Sequence, residues 1–373
     1  MRDVDAIVVG GGPAGAAAAL VLARGGARTV VFERAPMPRD KVCGDLLGTD
    51  AIATLRQLGV AQSVLAGSLA LTGAVLHGPR GARYGARAAT SRADTPSDAR
   101  VIPRERFDAA LLAASVAAGA RVRYERVLAV ERDSSIACVR TAYATLRAPI
   151  VIGADGWGSH LARALGNPPP GRANIAIAAR TYARGVRGLD RRMHFFVNAT
   201  GDGYGWIFPL GTDAANVGLG FLRSEGASDL RAAFERFRAS RSPANAFLGE
   251  ASFTALAAWP IPVGPRTMRV AAEGMYLAGD AAGLASPLSG SGIHHALASG
   301  AVAGRHALRA LAGDRGAAYA YQRFIAARMV TRLRVEAFAH RTFSTAATVE
   351  RYAPWTRVPG GGALLSRALL ALG

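Results

Sequence analysis

A glycine-rich turn near the start of the chain constrains its fold more strongly than any other feature. The apolar run at 6–9 predicts a buried strand, residues 10–15 form the turn, and residues 16–24 predict a helix. A second apolar strand is predicted over 28–32 and ends at Glu33. Strand, glycine turn, helix and strand in this order predict a βαβ unit.

The turn has the spacing Gly-x-Gly-x-x-Gly, which is typical of dinucleotide binding when it joins a strand to a helix. Gly10 permits the tight turn, Gly12 lets the backbone approach a pyrophosphate, and Gly15 lets the helix pack closely on the strand. Pro13 and Ala14 belong to the same turn and are also predicted to contact the cofactor, and the helix that follows presents free N–H groups and a partial positive charge to the phosphates. The alternative is a turn that only caps the helix.

Glu33 indicates which dinucleotide this site takes. It lies 21 residues after Gly12, where its carboxylate can accept hydrogen bonds from ribose hydroxyls. A charge-assisted hydrogen bond of this kind contributes roughly 1.5–3 kcal/mol. Because an acidic group here disfavours a 2′-phosphate, the sequence predicts FAD or NAD rather than NADP.

A second glycine turn follows another predicted buried strand at 275–278. Asp280 in this turn is expected to bond a polyol hydroxyl, and the small residues beside it leave room for a planar ligand. A helix begins near 290–293, where its N–H groups could face an electron-rich ring. The residues assigned to ligand binding in this segment are Gly279, Asp280, Pro287, Gly290, Ser291, Gly292 and Ile293.

Length and composition exclude several classes of protein. A chain of 373 residues predicts about two domains, and a hydrophobic content of 50% excludes a mainly disordered protein. Cys43 and Cys138 are too few for a disulfide framework or a four-cysteine zinc site, and the histidines lack metal-ligand spacing, so no metal is expected. The sequence contains no apolar run of roughly 18 residues and no signal peptide, so a cytoplasmic location is expected.

The charge is strongly positive. The chain has 45 basic and 26 acidic residues, a net charge of +19, and Lys41 is the only lysine. This charge could result from the codon bias of a GC-rich genome. It could also serve to bind an anionic membrane surface, an acidic electron-donor protein or an anionic substrate. Nucleic acid is not expected as a partner, because the arginines are scattered and no zinc-finger or RNP-type motif is present.

Four segments together resemble the flavoprotein superfamily of aromatic hydroxylases, halogenases and geranylgeranyl reductases. They are the N-terminal fingerprint, residues 102–108, residues 153–156 and residues 279–283, and they span 4–305. The resemblance implies FAD, positioned in part by Arg104 and by Asp155 with Gly156; the alternative for Arg104 is a surface residue at a helix entry. Further cofactor contacts are predicted for Arg34, Lys41, Cys43, Gly44 and Val127.

Two further motifs favour the geranylgeranyl reductase branch. Lys41-Val42-Cys43-Gly44 resembles its Lys-x-Cys-Gly segment, which passes beside the isoalloxazine. Residues 204–209 resemble its Tyr-x-Trp-x-Phe-Pro signature, which lines the substrate cavity. Tyr204, Trp206 and Phe208 share one face of a strand, which suits an extended apolar substrate but is also compatible with ordinary strand aromatics.

Some positions depart from the pattern of that branch. Its members usually carry Gly-Glu-Gly where this chain has Ser291 between two glycines, and paired tyrosines where it has His294 and His295. Halogenases fit less well, because they carry Trp-x-Trp-x-Ile-Pro in place of the aromatic motif and need a lysine for hypohalous acid. Lys41 is the only lysine and already belongs to the Lys-x-Cys-Gly motif, so no other lysine could handle hypohalous acid.

We therefore predict an α/β fold with a Rossmann-like FAD-binding domain that is discontinuous in sequence. An antiparallel β-rich substrate domain is inserted into it, and a helical tail ends the chain. The predicted FAD-binding domain comprises 1–70, 100–165 and 263–310; the substrate domain comprises 71–99 and 166–262; the tail comprises 311–373. Within these domains we expect a loop over 86–98, helices over 107–118 and about 228–239, and an amphipathic piece at 363–370.

The predicted function is an FAD-dependent oxidoreductase of the geranylgeranyl reductase type. It would reduce C=C bonds of an isoprenoid or another extended apolar substrate, with an FAD-dependent monooxygenase (hydroxylase or epoxidase) as the alternative. A flavin halogenase and a non-enzymatic flavoprotein fit less well. Electrons would come transiently from NAD(P)H or a ferredoxin, since the sequence has one nucleotide fingerprint.

Alkene reduction needs a proton donor beside the flavin. The candidates are Cys43, Tyr204, His294 and His295. Each of them could instead have only a structural role, as a buried side chain or in helix packing.

The C-terminal region carries arginines that could flank an apolar face at a membrane surface, giving a peripheral contact. The alternative is that these helices pack on their own domain with the arginines in solvent.

Overall fold

The computed structural model describes residues 3–78, 83–87, 98–133, 136–197, 199, 203–221, 229–239, 241–264 and 268–343. The strands are β1 (Ala6–Val9), β2 (Thr29–Phe32), β3 (Leu46–Leu47), β4 (Leu69–Ala70), β5 (Gly73–His77), β6 (Arg83–Arg87), β7 (Arg100–Val101), β8 (Arg121–Arg123), β9 (Ala129–Asp133), β10 (Ile136–Arg140), β11 (Thr145–Ala148), β12 (Ile150–Gly153), β13 (Ile175–Arg184), β14 (Arg192–Val197), β15 (Gly203–Pro209), β16 (Ala214–Phe221), β17 (Ser252–Phe253), β18 (Ala257–Pro262), β19 (Ala271–Ala272) and β20 (Met275–Leu277). The helices are α1 (Pro13–Arg24), α2 (Thr49–Gln57), α3 (Ala61–Val64), α4 (Arg104–Ala117), α5 (His160–Ala164), α6 (Leu230–Arg238), α7 (Asn245–Leu248), α8 (Ile293–Leu311), α9 (Ala317–Phe324) and α10 (Thr331–Phe343).

A six-stranded sheet forms the centre of the nucleotide-binding part. Its order is β19-β20-β12-β1-β2-β8, and every neighbouring pair except β19–β20 is parallel. The strands β1, β2 and β12 are buried along their whole length, as expected for a parallel sheet covered on both faces. The alanine-rich helix α1 packs closely along α8, where a Cβ at Gly300 would lie 2.0 Å from the Ala14 carbonyl oxygen.

An eight-stranded sheet forms the second large unit. Its order is β17-β13-β16-β15-β14-β5-β6, with β18 also paired to β13. Every pairing is antiparallel except β14–β5, which is parallel. One face packs on α6 and α7 through an apolar cluster that includes Phe237 and Phe247. The other face carries a separate cluster with Trp206 and Phe208 at its centre.

The α/β class, the antiparallel β-rich unit and the C-terminal helices are confirmed, while the domain boundaries stay a prediction. Helix α4 begins at Arg104, three residues before the predicted start at 107; Pro103 is its N-cap residue, and the Arg104 N–H donates to Asp45 Oδ1 at 3.1 Å. The predicted loop over 86–98 falls mainly on residues outside those described, and so does the predicted amphipathic piece at 363–370. A π-helical stretch, Ile325–Val330, joins α9 to α10.

Among the described helices, none combines the length and the apolar character that crossing a membrane requires.

Candidate active site and cofactor cavity

One large cavity brings together residues from both major sheets. It extends from the glycine turn after β1 to the aromatic side chains of β15. Every residue predicted to bind a cofactor lines this cavity except Gly15 and Pro287, and the three predicted substrate-binding aromatics line it too. The motifs therefore converge in space although 170 residues separate Arg34 from Tyr204.

The glycine turn has the backbone geometry that a dinucleotide cradle requires. Gly10 has φ +100°, and a Cβ there would lie 2.4 Å from the carbonyl oxygen of Ala154. A Cβ at Gly15 would lie 1.8 Å from the carbonyl oxygen of Gly10, so Gly15 acts by letting α1 approach β1 rather than by facing the cavity. The N-cap residue of α1, Gly12, provides no side-chain cap, which leaves the N–H groups of the first turn available to phosphate oxygens.

The Glu33 carboxylate lies at the carboxyl end of β2 and lines the cavity, where it is 4% exposed. Its Oε2 accepts hydrogen bonds from the Gly11 N–H at 2.9 Å and from Arg39 Nη2 at 3.0 Å. Arg39 also pairs with Asp108 at 3.2 Å and lines the cavity. Arg39 lies in a loop outside every motif, so its place in the site was not predictable from the sequence.

Arg104 is a buried member of the site. It is 7% exposed, and its Nε and Nη2 each donate to Asp108 at 2.8 Å. The alternative of a surface arginine at a helix entry is therefore wrong. Because Asp108 binds both Arg104 and Arg39, α4 and the loop after β2 are held together beside the cavity.

The residues present fit a flavin dinucleotide. Asp155 lines the cavity, and its Oδ1 is buried without a hydrogen-bond partner, while its Oδ2 accepts from the His160 N–H at 2.9 Å. An unpaired buried carboxylate oxygen costs free energy unless a ligand donates to it. Asp280 and the segment 290–293 line the same cavity. Polar groups therefore face the cavity where a ligand with several hydroxyl groups would satisfy them.

The segment from Lys41 to Gly44 lies between the nucleotide end and the aromatic end of the cavity. Lys41 Nζ lies 4.2 Å from the ring centroid of Trp259 on β18, a residue outside every motif of the sequence. Burial lowers the pKa of Lys41 to about 8, and the Asp280 carboxylate offsets part of that effect. Burial raises the pKa of the Cys43 thiol, so this group stays protonated at neutral pH.

Asp45, directly after this segment, is a buried carboxylate in the left-handed region, with φ +62°. Its Oδ2 accepts hydrogen bonds from Tyr182 Oη at 2.9 Å and Asn216 Nδ2 at 2.8 Å. Its Oδ1 accepts from the Arg104 N–H at 3.1 Å. Asp45 therefore ties the start of α4 to strands β13 and β16.

Asn216 connects the same segment to the aromatic end of the cavity. Its Nδ2 donates to the Cys43 carbonyl oxygen at 2.8 Å, and its Oδ1 accepts from Trp206 Nε1 at 2.8 Å. Asn216 is fully buried, so each of these groups would be costly to leave unpaired. One side chain thus sets the position of Cys43 relative to Trp206.

Replacing Asp45 with asparagine is expected to change how stability depends on pH. Burial raises the Asp45 pKa to about 6 from its ordinary 3.8, so the native state binds this proton more tightly than the unfolded state does. The stability that this group contributes is therefore fully present below pH 3.8 and is lost as the pH rises to about 6. Over that interval, the free energy of unfolding of the wild type should fall by about 3 kcal/mol relative to Asp45→Asn.

Urea unfolding of both proteins at a series of pH values measures this difference. The asparagine side chain keeps an acceptor and tolerates the left-handed backbone, so the variant is expected to fold. Parallel pH profiles for the two proteins would show that Asp45 does not titrate in this range.

Four aromatic rings form a continuous wall at the far end of the cavity. The ring centroids of Tyr204 and Trp206 are 5.9 Å apart, those of Trp206 and Phe208 6.2 Å, and those of Phe208 and Phe195 5.1 Å. Trp206 lies over Gly218 of β16, where a Cβ would come within 2.1 Å of its ring. The absence of a side chain at Gly218 therefore lets the Trp206 ring pack directly against the backbone of β16.

The Tyr204 hydroxyl joins this wall to the second glycine turn, because it donates to the Ser289 carbonyl oxygen. The Ser289 hydroxyl in turn donates to Ser291 Oγ at 2.9 Å. Burial raises the pKa of Tyr204 well above its ordinary value, so the phenol is neutral. Pro287, one of the residues predicted to bind cofactor, is buried behind the turn and does not line the cavity.

The structure places His294 and His295 away from the cavity, which corrects their selection as proton donors. Ile293 and Ala296 of α8 face the cavity, whereas the two histidines line a separate cavity on another side of the helix. Burial, with a further contribution from His294, lowers the pKa of His295 to about 3, so near neutral pH it is a neutral imidazole and a poor acid. Among the described residues, no three His, Cys, Asp or Glu side chains are grouped to hold a metal ion.

The fold and the site together define an FAD-dependent oxidoreductase. A family model described as an FAD binding domain matches residues 3–320, and the chain belongs to this family.

Comparison with characterised proteins shows which branch of these flavoproteins the chain is similar to. It is 32% identical over 80% of its length to a menaquinone reductase of Mycolicibacterium smegmatis, of which it covers 75%. It is 30% identical over 84% of its length to digeranylgeranylglycerophospholipid reductase 2 of Methanopyrus kandleri, of which it covers 78%. The crystal structure of a geranylgeranyl bacteriochlorophyll reductase-like protein from Thermoplasma acidophilum superposes with a TM-score of 0.84 and 25% identity, covering 96% of this chain and 92% of that one. The prediction of the geranylgeranyl reductase type is thereby confirmed.

Proposed function

We propose that this protein uses bound FAD to reduce C=C bonds of an isoprenoid chain carried by a lipid or quinone. One observation carries the proposal: a single cavity extends from the dinucleotide cradle at Gly10 and Gly12 to the aromatic wall around Trp206. The relatives are named for menaquinone and for digeranylgeranylglycerophospholipid, which makes these two compounds the first substrates to test.

The aromatic wall binds the apolar chain and excludes water from it. Tyr204, Trp206 and Phe208 contribute apolar rings to the lining of the cavity, as an extended hydrocarbon requires. When bound and reduced, FAD supplies the hydride for the alkene. The protein supplies the surface that orients the double bond and a proton for the other carbon.

Cys43 is the best-placed proton donor among the candidates. It lines the cavity between the nucleotide end and Trp206, and burial keeps its thiol protonated. The Tyr204 hydroxyl is already engaged with the Ser289 carbonyl oxygen. The bond from Asn216 to the Cys43 carbonyl oxygen makes Asn216 a positioning residue for this thiol.

Electrons are proposed to come from NAD(P)H or from an acidic ferredoxin that binds transiently. The net charge of +19 supports an acidic protein donor, because long-range attraction would accelerate its association.

A cytoplasmic protein acting on membrane lipids would also need a peripheral contact with the membrane. Val335, which is 65% exposed on α10 near several arginines, supports such a contact there.

Rapid mixing of the reduced holoenzyme with each co-substrate tests the proposed reaction. Anaerobic mixing with menaquinone or an unsaturated archaeal-type phospholipid is expected to reoxidise the flavin and yield product with added hydrogen across C=C bonds. Mixing with oxygen alone is expected to give slow, featureless reoxidation. A transient flavin–oxygen adduct together with hydroxylated or epoxidised product would instead identify a monooxygenase and overturn the proposal.

A further inference from the structure

A second cavity lies where the start of α8 meets the C-terminal helices. It is separate from the cofactor cavity, because it adjoins a different side of α8. Its lining combines two histidines, two arginines and apolar side chains, principally His294, His295, Phe324, Arg328, Met329 and Arg332. Nothing in the proposed reaction uses these residues.

The polar groups of this cavity are incompletely paired. His295 is 5% exposed, lines the cavity, and its Nε2 is buried without a hydrogen-bond partner. His294 Nδ1 is likewise without a hydrogen bond and lies 4.0 Å from the nearest carboxylate oxygen, Asp50 Oδ2. A neutral imidazole has one N–H donor and one acceptor, so unpaired ring nitrogens can bind a polar ligand.

The charges around the cavity favour an anion. The described lining includes Arg328 and Arg332 but no carboxylate. The nearby acids are Asp50 of α2 and Glu336 of α10, and Arg332 already pairs with both, at 3.1 and 2.9 Å. Arg328 is exposed and forms no ion pair within the described part of the chain. Its guanidinium therefore remains free to bind an oxyanion bidentately.

The local backbone contributes to this arrangement. Arg328 and Met329 belong to the π-helical stretch Ile325–Val330, and the Thr331 hydroxyl donates to the Ala326 carbonyl oxygen at 3.2 Å. Such π-helical insertions are uncommon and are frequently found at functional sites. Here the insertion lies at the cavity and contributes both a cationic and an apolar side chain to it.

We propose that this second cavity binds the phosphate group of an organic phosphate. Arg328 and Arg332 would contact the phosphate oxygens, the ring nitrogens of His294 and His295 would hydrogen-bond to it, and Phe324 with Met329 would contact the adjoining carbon atoms. The group belongs either to a soluble phosphate ester or to a phospholipid headgroup at a membrane surface. The site is distinct from the cofactor cavity and does not depend on the proposed reaction.

Burial lowers the pKa of both histidines in the free protein, His295 to about 3, with Arg332 lowering both further and Asp50 opposing this. A bound anion favours the protonated imidazoles and should raise these pKa values. Binding should therefore take up protons and strengthen as the pH falls. Sulfate is a suitable probe for this pH series, because its charge stays constant near neutral pH.

Calorimetric titration of the holoenzyme with glycerol 3-phosphate tests the site. Arg328→Ala should weaken binding by about tenfold or more, as expected for loss of a charge-assisted contact. His295→Phe, which keeps a ring but removes its nitrogens, should also weaken binding. Arg323→Ala is the matched control: this arginine is exposed, lies in the same region over Tyr319, and is absent from the cavity lining.

The source of the phosphate is decided by a second measurement. Sedimentation with phosphatidylglycerol vesicles that is lost in Arg328→Ala, but retained in Arg323→Ala, would identify a lipid headgroup. Binding of glycerol 3-phosphate with vesicle sedimentation unaffected by Arg328→Ala would identify a soluble ester. Absence of binding to both probes, or equal losses in Arg328→Ala and Arg323→Ala, would overturn the proposal. Flavin content serves as the folding check for each variant.

Discussion

Replacing Gly12 with valine is expected to abolish retention of FAD while leaving the fold intact. A Cβ at this position would meet only Arg39 Nη2, at 3.8 Å, so the protein has room for the side chain. The backbone is extended there, with φ −75° and ψ −171°, which valine adopts readily. The added atoms would instead occupy the cavity where the backbone must approach the pyrophosphate.

We expect the affinity for FAD to fall at least about 100-fold, which corresponds to roughly 3 kcal/mol. Flavin absorbance of the purified variant and its titration with added FAD measure this loss, and circular dichroism of the cofactor-free proteins checks the fold. Gly171→Val is the matched control, because Gly171 is also extended, with φ −67° and ψ 160°, and a Cβ there would meet no described atom within 4 Å. A Gly12→Val protein with full flavin content would contradict the placement of the pyrophosphate.

The cofactor end of the site was predictable because its geometry is local. The conformation of Gly10 and the close contact between Gly15 and the Gly10 carbonyl oxygen are properties of a few consecutive residues. Glycine is required at both, so the sequence pattern carries the structural information directly. The alternation of Tyr204, Trp206 and Phe208 likewise placed three rings on one face of a strand.

The contacts that join the two ends of the cavity were not predictable. Asn216 and Cys43 are 173 residues apart, and their hydrogen bond depends on how the eight-stranded sheet docks against the segment after β2. Arg39 is similarly defined by two partners, Glu33 and Asp108, that lie in different elements. Neither residue belongs to a local pattern, and only the tertiary structure shows their role.

The misplaced histidines illustrate a different limit. His294 and His295 adjoin Ile293 in the chain, and proximity in sequence suggested proximity to the flavin. On an α-helix, however, residues three apart share a face, and here that face carries Ile293 and Ala296. The helical period can be read from the sequence. Once Ile293 is known to face the flavin cavity, this period directs His294 and His295 to other sides of the helix.

Replacing Cys43 with alanine is expected to slow alkene reduction by about 10²–10⁴-fold, the usual contribution of a positioned proton donor. FAD content should stay largely unchanged, because Asn216 holds this segment through the Cys43 backbone carbonyl at 2.8 Å, whereas the bond from the Asp45 N–H to the Cys43 thiol is long, at 3.4 Å. Anaerobic single-turnover mixing of reduced enzyme with the prenyl substrate measures the rate. Cys138→Ala is the matched control, since Cys138 is also half-buried but lies on β10 and outside the cavity lining.

The pH profile separates proton donation from a packing role of the thiol. Because burial raises the Cys43 pKa, the group remains protonated across neutral pH, and the wild-type rate should fall only at a pH above the ordinary range of cysteine. Cys43→Ala should lose that alkaline fall together with the rate, whereas a purely structural role would lower the rate and leave the profile unchanged. If Cys43→Ala reduces the alkene as fast as Cys138→Ala, the proton comes from another group, and Tyr204 becomes the next residue to replace.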